Sequence, residues 1–333
     1  MWNAIREFID RHDSFVVTSH INPDGDAIGS EMGLAHFLRS LGKQVLVMNS
    51  TETPEVLRFL DPEDEVHVYG EPGSRELLDA VDAVFIVDVN NWEHIGNIGR
   101  TLQARKLPRA CIDHHQESMS GFADCTVSDT SAAATGILIL ELIRDYRVPM
   151  TLPIAEALFA AIITDTGTFR FSNTDARALH AAADLCDAGC NAFEMYRKVF
   201  GSKTWGAGRM LGPVLSTLES AAGGRLAWIS ATIEMVNNAG ATHDDMDGFA
   251  DLVRSIKGVE LVIFFKEMSE GEIKVSLRSN GNVDAHAIAK HFGGGGHIMA
   301  SGMRVEGPLQ HAIDLVTREC LRLPLFSSRL SRG

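Results

Sequence analysis

Cysteine, positive charge and long apolar runs are all in short supply in this chain, and each shortage excludes something. Five cysteines (Cys111, Cys125, Cys186, Cys190 and Cys320) in 333 residues follow no spacing that suggests a disulfide framework. The pair Cys186/Cys190 stands four apart in a helical pattern, which favours packing over a metal site. Lys and Arg number 30 against 44 Asp and Glu, a net charge of −14 that opposes a general basic surface for long duplex nucleic acid. A short phosphate-bearing substrate held by metal ions and a few local cations remains compatible with that balance. The longest apolar candidate, AAATGILIL, is cut off at Glu141, so no membrane span is expected. The start, MWNAIREFIDRHDS, mixes acids and bases and lacks the pattern of a secretory leader. A soluble, cytoplasmic protein without membrane contact is therefore expected.

Hydrophobic residues make up 45% of the chain, enough for full cores, and the length exceeds what one core usually organises. Two domains follow, with expected boundaries at 1–190, a helical linker at 191–222 and a smaller second domain at 223–333. The first half alternates strand-like runs, SFVVTSH (14–20), QVLVMN (44–49), AVFIVDV (83–89) and RACIDHH (109–115), with helical patterns such as DAIGSEMGLAHFLRSLG. This rhythm predicts an α/β fold: a mostly parallel sheet with helices on both faces and ligand groups at the carboxyl ends of its strands. Helical patterns dominate from about 131 to 220. Strands resume at RLAWISA, and after a helical HDDMDGFADLVRSIKG come VELVIFFKEM, EIKVSLRS, the helix DAHAIAKHF and GGGGHIMASG.

Acids and imidazoles collect where that sheet edge should lie. His20 ends the first strand, and Asp24 and Asp26 follow in a turn made credible by Pro23 and Gly25. Asp88 ends the strand AVFIVDV, where a lone charge would be costly to bury. The strand RACIDHH ends in Asp113, His114 and His115, and the helical ALFAAIITDTGTF delivers Asp165. Taken alone, PDGD is equally well an ordinary polar turn. Together, His20, Asp24, Asp26, Asp88, His114 and Asp165 are too many for one catalytic zinc. They suit two ions sharing a carboxylate, manganese ahead of magnesium because imidazole is a poorer partner for magnesium.

In order along the chain, SHINPDGDAIGS, VDVN, IDHH and TDTGTFRFSNT resemble the four motifs of the DHH phosphoesterase superfamily, and GGGGHIMASG is similar to the glycine-rich signature of its DHHA1 accessory domain. The resemblance spans nearly the whole chain. It implies a DHH catalytic domain and a DHHA1 substrate-binding domain with the active site in the cleft between them. Within the superfamily the chain looks like the bacterial nanoRNase/pAp phosphatase group. That implies an exonuclease-like hydrolase of short oligoribonucleotides that also removes the 3′-phosphate of pAp, working by attack of a metal-activated hydroxide, with a homodimer as the expected assembly. By the same resemblance His20, Asp24 and Asp88 hold one metal and Asp26, Asp88, His114 and Asp165 the second, with Asp88 bridging. His115 lies beside the substrate phosphate, and Asp113 orients its neighbours. The chain departs from the family pattern at His94, where relatives often carry an arginine.

Glycines 293–296 let backbone amides approach an anion closely, although such a run is also a common flexible loop. The resemblance implies that Arg278 and His297, with Gly294, Gly295 and Gly296, hold the terminal phosphate or base. Arg170, Phe169 and Phe171 offer a modest phosphate contact and a packing or stacking surface. Three other readings compete. A phosphodiesterase for cyclic di-AMP or pApA shares all the motifs. A manganese-dependent pyrophosphatase shares the first four but lacks the glycine-rich loop. A catalytically silent nucleotide-binding module would not need the six intact ligand-type residues.

Overall fold

The computed structural model describes residues 1–115, 121–201, 203–269 and 271–327. The expected tail SSRLSRG and the residues just after His115 fall largely outside them. Two compact units divide the chain at 202/203. The stretch expected as a helical linker divides with them, Ala192–Phe200 in the first unit and Trp205–Ser216 in the second.

The first unit runs α1 Asn3–Arg11, β1 Ser14–Thr18, α2 Gly25–Ser40, β2 Gln44–Asn49, β3 Val66–Val68, α3 Ser74–Asp79, β4 Ala83–Val87, α4 Trp92–Ala104, β5 Arg109–Asp113, β6 Cys125–Ser128, α5 Thr135–Tyr146, α6 Leu152–Asp165, α7 Ala176–Asp187 and α8 Ala192–Phe200. Its sheet has the order β3-β2-β1-β4-β5-β6, every pair parallel. Strands β1 and β4 are buried along nearly their whole length because helices cover both faces. One face packs Phe15, Val17 and Phe85 against α1, α2, α5 and α6, and the other packs Val16, Val84 and Ile86 under α4. The chain leaves β1 toward β2 and β3, then returns to place β4 beside β1. That reversal opens a crevice past the carboxyl ends of β1 and β4.

Helices α2 and α6 approach so closely that a Cβ at Gly29 would lie 2.4 Å from the Ala157 carbonyl oxygen, and one at Gly33 would meet Leu158. The small residues bring the first turn of α2 beside the last turn of α6.

The second unit runs α9 Trp205–Ser216, β7 Glu219–Ala221, β8 Leu226–Ala231, α10 Ile233–Ala239, α11 Phe249–Arg254, β9 Leu261–Ser269, β10 Glu272–Ser279, α12 Ala285–His291, β11 Gly295–Gly296, β12 Ala300–Glu306, α13 Leu309–Leu321 and α14 Pro324–Ser327. The expected helix over 243–258 is broken: Asp244–Met246 form a 3₁₀ turn, and Gly248 at φ 85° starts α11 afresh. Its mixed sheet has the order β11-β12-β10-β9-β8-β7. Ile273, Val275, Leu277, Met303 and Val305 face α12 and α13, whereas Val262 and Phe264 on the other face meet α9, α10 and α11. Among the described residues no helix is long and apolar enough to cross a membrane.

Candidate metal centre

Four segments of the first unit deliver acids and imidazoles to the crevice. His20 lies two residues beyond β1, and Asp88 directly follows β4 with a left-handed φ of 59°. That turn is held by the Asp88 amide donating to the Ile112 carbonyl at 3.0 Å. Asp24 caps α2, its Oδ1 accepting from the amides of Asp26 and Ala27. Asp26 therefore sits in the first turn of the helix rather than in the turn before it. His114 and His115 follow β5, and Asp165 ends α6. After Asp165 the chain takes three consecutive left-handed residues, Gly167, Thr168 and Phe169, and the Phe171 ring lies against Gly167 so closely that a Cβ there would meet it at 2.3 Å.

His20 Nε2 lies 3.6 Å from Asp88 Oδ2 and 3.9 Å from Asp24 Oδ1. His114 Nε2 lies 3.5 Å from Asp88 Oδ1, 3.7 Å from Asp26 Oδ2 and 3.6 Å from Asp165 Oδ2. These separations exceed ordinary hydrogen bonds. They are close to the roughly 3.0–3.4 Å between neighbouring donors around an ion with bonds near 2.1 Å. The other ring nitrogens set the tautomers: His20 Nδ1 faces the Ile21 carbonyl at 3.0 Å and His114 Nδ1 the Ala132 carbonyl at 3.1 Å. A carbonyl only accepts, so each Nδ1 carries a proton, and in the neutral ring each Nε2 turns a lone pair toward carboxylates. A metal ion fits between lone pairs that converge in this way. The donor sets His20/Asp24/Asp88 and Asp26/His114/Asp165 each could hold an ion, as could Asp88/His114/His115. Asp88 offers Oδ2 to the first set and Oδ1 to His114, the arrangement of a bridging ligand.

Burial sets the electrostatics. Desolvation raises the Asp26 carboxyl and pushes those of Asp88 and Asp165 well above the usual carboxylate range, and neighbouring acids push further on Asp88 and Asp165. Among the described residues the ion-pair partners of these three acids are histidines only. A divalent ion fits that deficit of positive charge.

Residues not singled out in the sequence hold the acids in place. The amides of Thr135 and Gly136, at the start of α5, donate to Asp26 at 2.6 and 3.0 Å, and Ser30 Oγ adds a third bond at 3.0 Å. Thr135 Oγ1 donates to Asp88 Oδ1 at 2.9 Å. The available signal was SAAATG, where Ala134 occupies the N-cap of α5 and cannot itself satisfy the helix amides. Asp113 is fully buried, accepting from Asn90 Nδ2 at 2.6 Å and facing His115 Nδ1 at 2.7 Å. His115 is thereby oriented with Nε2 directed away from Asp113. His94 contributes through its backbone, its carbonyl accepting from the Ile21 amide at 2.7 Å beside His20.

In the second unit Arg278 lies on β10, its Nη1 donating to the Leu277 carbonyl at 3.0 Å. Gly295 and Gly296 form the edge strand β11 against β12, and His297 turns back on Ala300 through backbone hydrogen bonds of 2.7 and 3.2 Å. Gly294 packs against Gly302 and Met303 with no room for a Cβ, so its small size is used in packing.

A parallel sheet carrying acid–imidazole donor sets past its carboxyl edge, followed by a separate mixed-sheet unit, has the form of a two-domain phosphoester hydrolase. Residues 14–162 match the DHH family, N-terminal domain, and residues 227–320 the DHHA1 domain. The bifunctional oligoribonuclease and PAP phosphatase NrnA of Thermus thermophilus is 35% identical over 87% of this chain and 84% of its own length. The protein of the same description from Bacillus subtilis is 28% identical over 89% and 91%. The crystal structure of an exopolyphosphatase-related protein from Bacteroides fragilis superposes with a TM-score of 0.91 at 29% identity, covering 98% of this chain and 97% of that one. The chain belongs to the DHH phosphoesterase family, with a C-terminal DHHA1 domain, and is an NrnA-like hydrolase.

Proposed function

We propose that this chain is a divalent-metal-dependent phosphoesterase that hydrolyses short oligoribonucleotides to mononucleotides and removes the 3′-phosphate of pAp. The observation that carries the metal dependence is the pair of His Nε2 lone pairs facing carboxylates at 3.5–3.9 Å. The substrate class rests on what the Thermus and Bacillus relatives are described as doing. In this reading His20, Asp24 and Asp88 hold one ion and Asp26, Asp88, His114 and Asp165 the other, manganese preferred over magnesium by the mixed donor set. Bound there, divalent ions supply a water-derived nucleophile at neutral pH and neutralise phosphate charge.

The chain's own residues do the rest. Thr135 and the α5 amides fix the carboxylates before substrate arrives, so no reorganisation is needed during reaction. Asp113, itself held by Asn90, accepts from His115 Nδ1 and orients the ring so that, when it is doubly protonated, its Nε2–H donates to an equatorial phosphate oxygen. Arg278, His297 and the amides of Gly294, Gly295 and Gly296 hold the substrate's terminal phosphate or base. A substrate end pinned in this way restricts length to a few nucleotides.

The deciding experiment is a product profile on labelled RNAs of two to about ten nucleotides, alongside pAp, pApA and cyclic di-AMP, with manganese, magnesium or chelator. Release of mononucleotides from the shortest RNAs, dependent on metal, is expected. Turnover confined to cyclic di-AMP or pApA would replace this reading with the phosphodiesterase one, and no turnover with either metal would leave a binding module. Arg278→Ala is expected to raise KM for pAp and dinucleotides far more than for an artificial phosphodiester. Equal changes would remove Arg278 from the clamp.

A further inference from the structure

The helices of the second unit cover only part of one sheet face. Val262 and Phe264 of β9 lie under α9, α10 and α11, yet on the same face of β10 and β12 the side chains of Lys274 and Arg304 are exposed and Ser276, Arg278 and Ala300 half-buried. The floor there is low: a Cβ added at Gly302 would meet only the Val275 carbonyl oxygen, at 3.6 Å. Cations border this floor in strand register. Lys266 of β9 stands directly opposite Lys274 of β10, and Lys274 directly opposite Arg304 of β12.

Like charges opposed across strands are destabilising, and this chain carries a net charge of −14 with acids to spare. Nevertheless the central member of the row, Lys274, is left without an acidic partner among the described residues. Arg304 pairs with Glu272, and Lys266, 5% exposed, has Asp247 Oδ1 at 3.6 Å. Among the described residues neither Lys274 nor Arg278 has a carboxylate within ion-pair distance. Burial lowers the Lys266 ammonium, with the nearby charges of Lys274 and Arg278 acting in the same direction against Asp247. An open floor flanked by two cations without acidic partners, Lys274 and Arg278, is a surface a phosphodiester backbone fits, with ribose and base lying over the glycine.

We propose that Lys274 forms a second phosphate subsite on this open face, with Lys266 behind it adding charge but not contact, and meets the backbone of an oligonucleotide whose end is held at Arg278. The proposal rests on the oligonucleotide reading above. Lys274 and Arg278 are four residues apart on one strand, about 14 Å, so the two positions serve different phosphates of one chain. The subsite therefore favours substrates of several nucleotides over dinucleotides and pAp.

Lys274 is exposed, so its replacement tests the subsite without disturbing the core, whereas Lys266 is buried. Binding of fluorescent RNA di- and pentanucleotides to the full chain is measured by anisotropy in chelator, and kcat/KM for the same lengths with manganese. Lys274→Glu is expected to lower the pentamer-to-dimer ratio in both assays by about fivefold, the upper end for an exposed charge pair. It should also make the pentamer's dependence on log salt shallower by about 0.7. Lys106→Glu, at an exposed position in the first unit just before β5, makes the same change in net charge and should leave the ratio alone. A ratio unchanged by Lys274→Glu, or lowered equally by Lys106→Glu, overturns the subsite. Lys274-dependent pentamer binding without turnover of any nucleotide would retain the subsite and overturn the hydrolase reading. Failure of the wild-type chain to bind either RNA would overturn both.

Discussion

At Asp88 three demands meet on one residue: a left-handed backbone, 3% exposure and two carboxylate oxygens each facing a different histidine. Asp88→Asn keeps the volume and the Thr135 hydrogen bond but removes the negative charge shared by a bridged pair of ions. It is expected to reduce kcat at least about a hundredfold and to weaken manganese binding in calorimetry. A variant with near-normal rate in manganese would remove Asp88 as the bridge. Thr135→Val tests the support behind it: loss of the 2.9 Å bond to Asp88 should cost about tenfold to a hundredfold in metal affinity with little change in melting temperature. The two residues differ in how visible they were in the sequence. Asp88 stood out because an acid closes an apolar strand, where only a partner justifies it. Thr135 and Asn90 are polar residues in unremarkable surroundings, and their meaning lies in partners 47 and 23 positions away. No local pattern encodes such pairs.

Among elements, α2 binds the site together. Its first turn carries Asp26, its glycines let α6 bring Asp165 alongside, and Glu31 reaches the sheet. Glu31 is fully buried, with Oε2 accepting from Asn49 Nδ2 at 2.8 Å, while Asn49 Oδ1 faces the Ser19 amide at 3.2 Å beside His20. Burial pushes the Glu31 carboxyl from 4.5 up to about 8. Between those values the folded chain holds a proton that the unfolded chain has released, so Glu31's contribution makes stability fall as pH rises and level off above about pH 8. The cost reaches at most about 5 kcal/mol. Glu31→Gln can still accept from Asn49, and it should flatten this fall when denaturant midpoints are compared at pH 5, 7 and 9. An unchanged slope would mean the carboxyl is not the source. The long periodic helices and the four central strands were legible because burial on both faces writes itself as continuous apolar runs. Strands β3, β6, β7 and β11 are not legible because they are short and at a sheet edge, and β12 because it follows directly on the glycine run; pairing rather than composition makes them strands. The break at Gly248 shows the opposite failure, a helical pattern interrupted by one left-handed residue.

For the whole molecule, the decisive fact is where buried apolar side chains find partners. Two clusters draw only on residues before 202 and two only on residues after 203. Each unit therefore has the core an independent domain needs. The proposed metal ligands all belong to the first unit, and the proposed terminal clamp and phosphate subsite to the second. A fragment of residues 1–201 is accordingly expected to fold cooperatively and to bind manganese as the full chain does, observable by calorimetry and by the loss of free-ion signal in electron paramagnetic resonance. It should hydrolyse a small artificial phosphodiester, because that reaction asks nothing of Arg278 or Lys274. Against RNA its KM should rise steeply, and the difference between dinucleotide and pentanucleotide should vanish together with the residues that distinguish them. A folded fragment that bound no manganese would move part of the metal site into the second unit. One that kept its RNA length preference would move the recognition of length into the first.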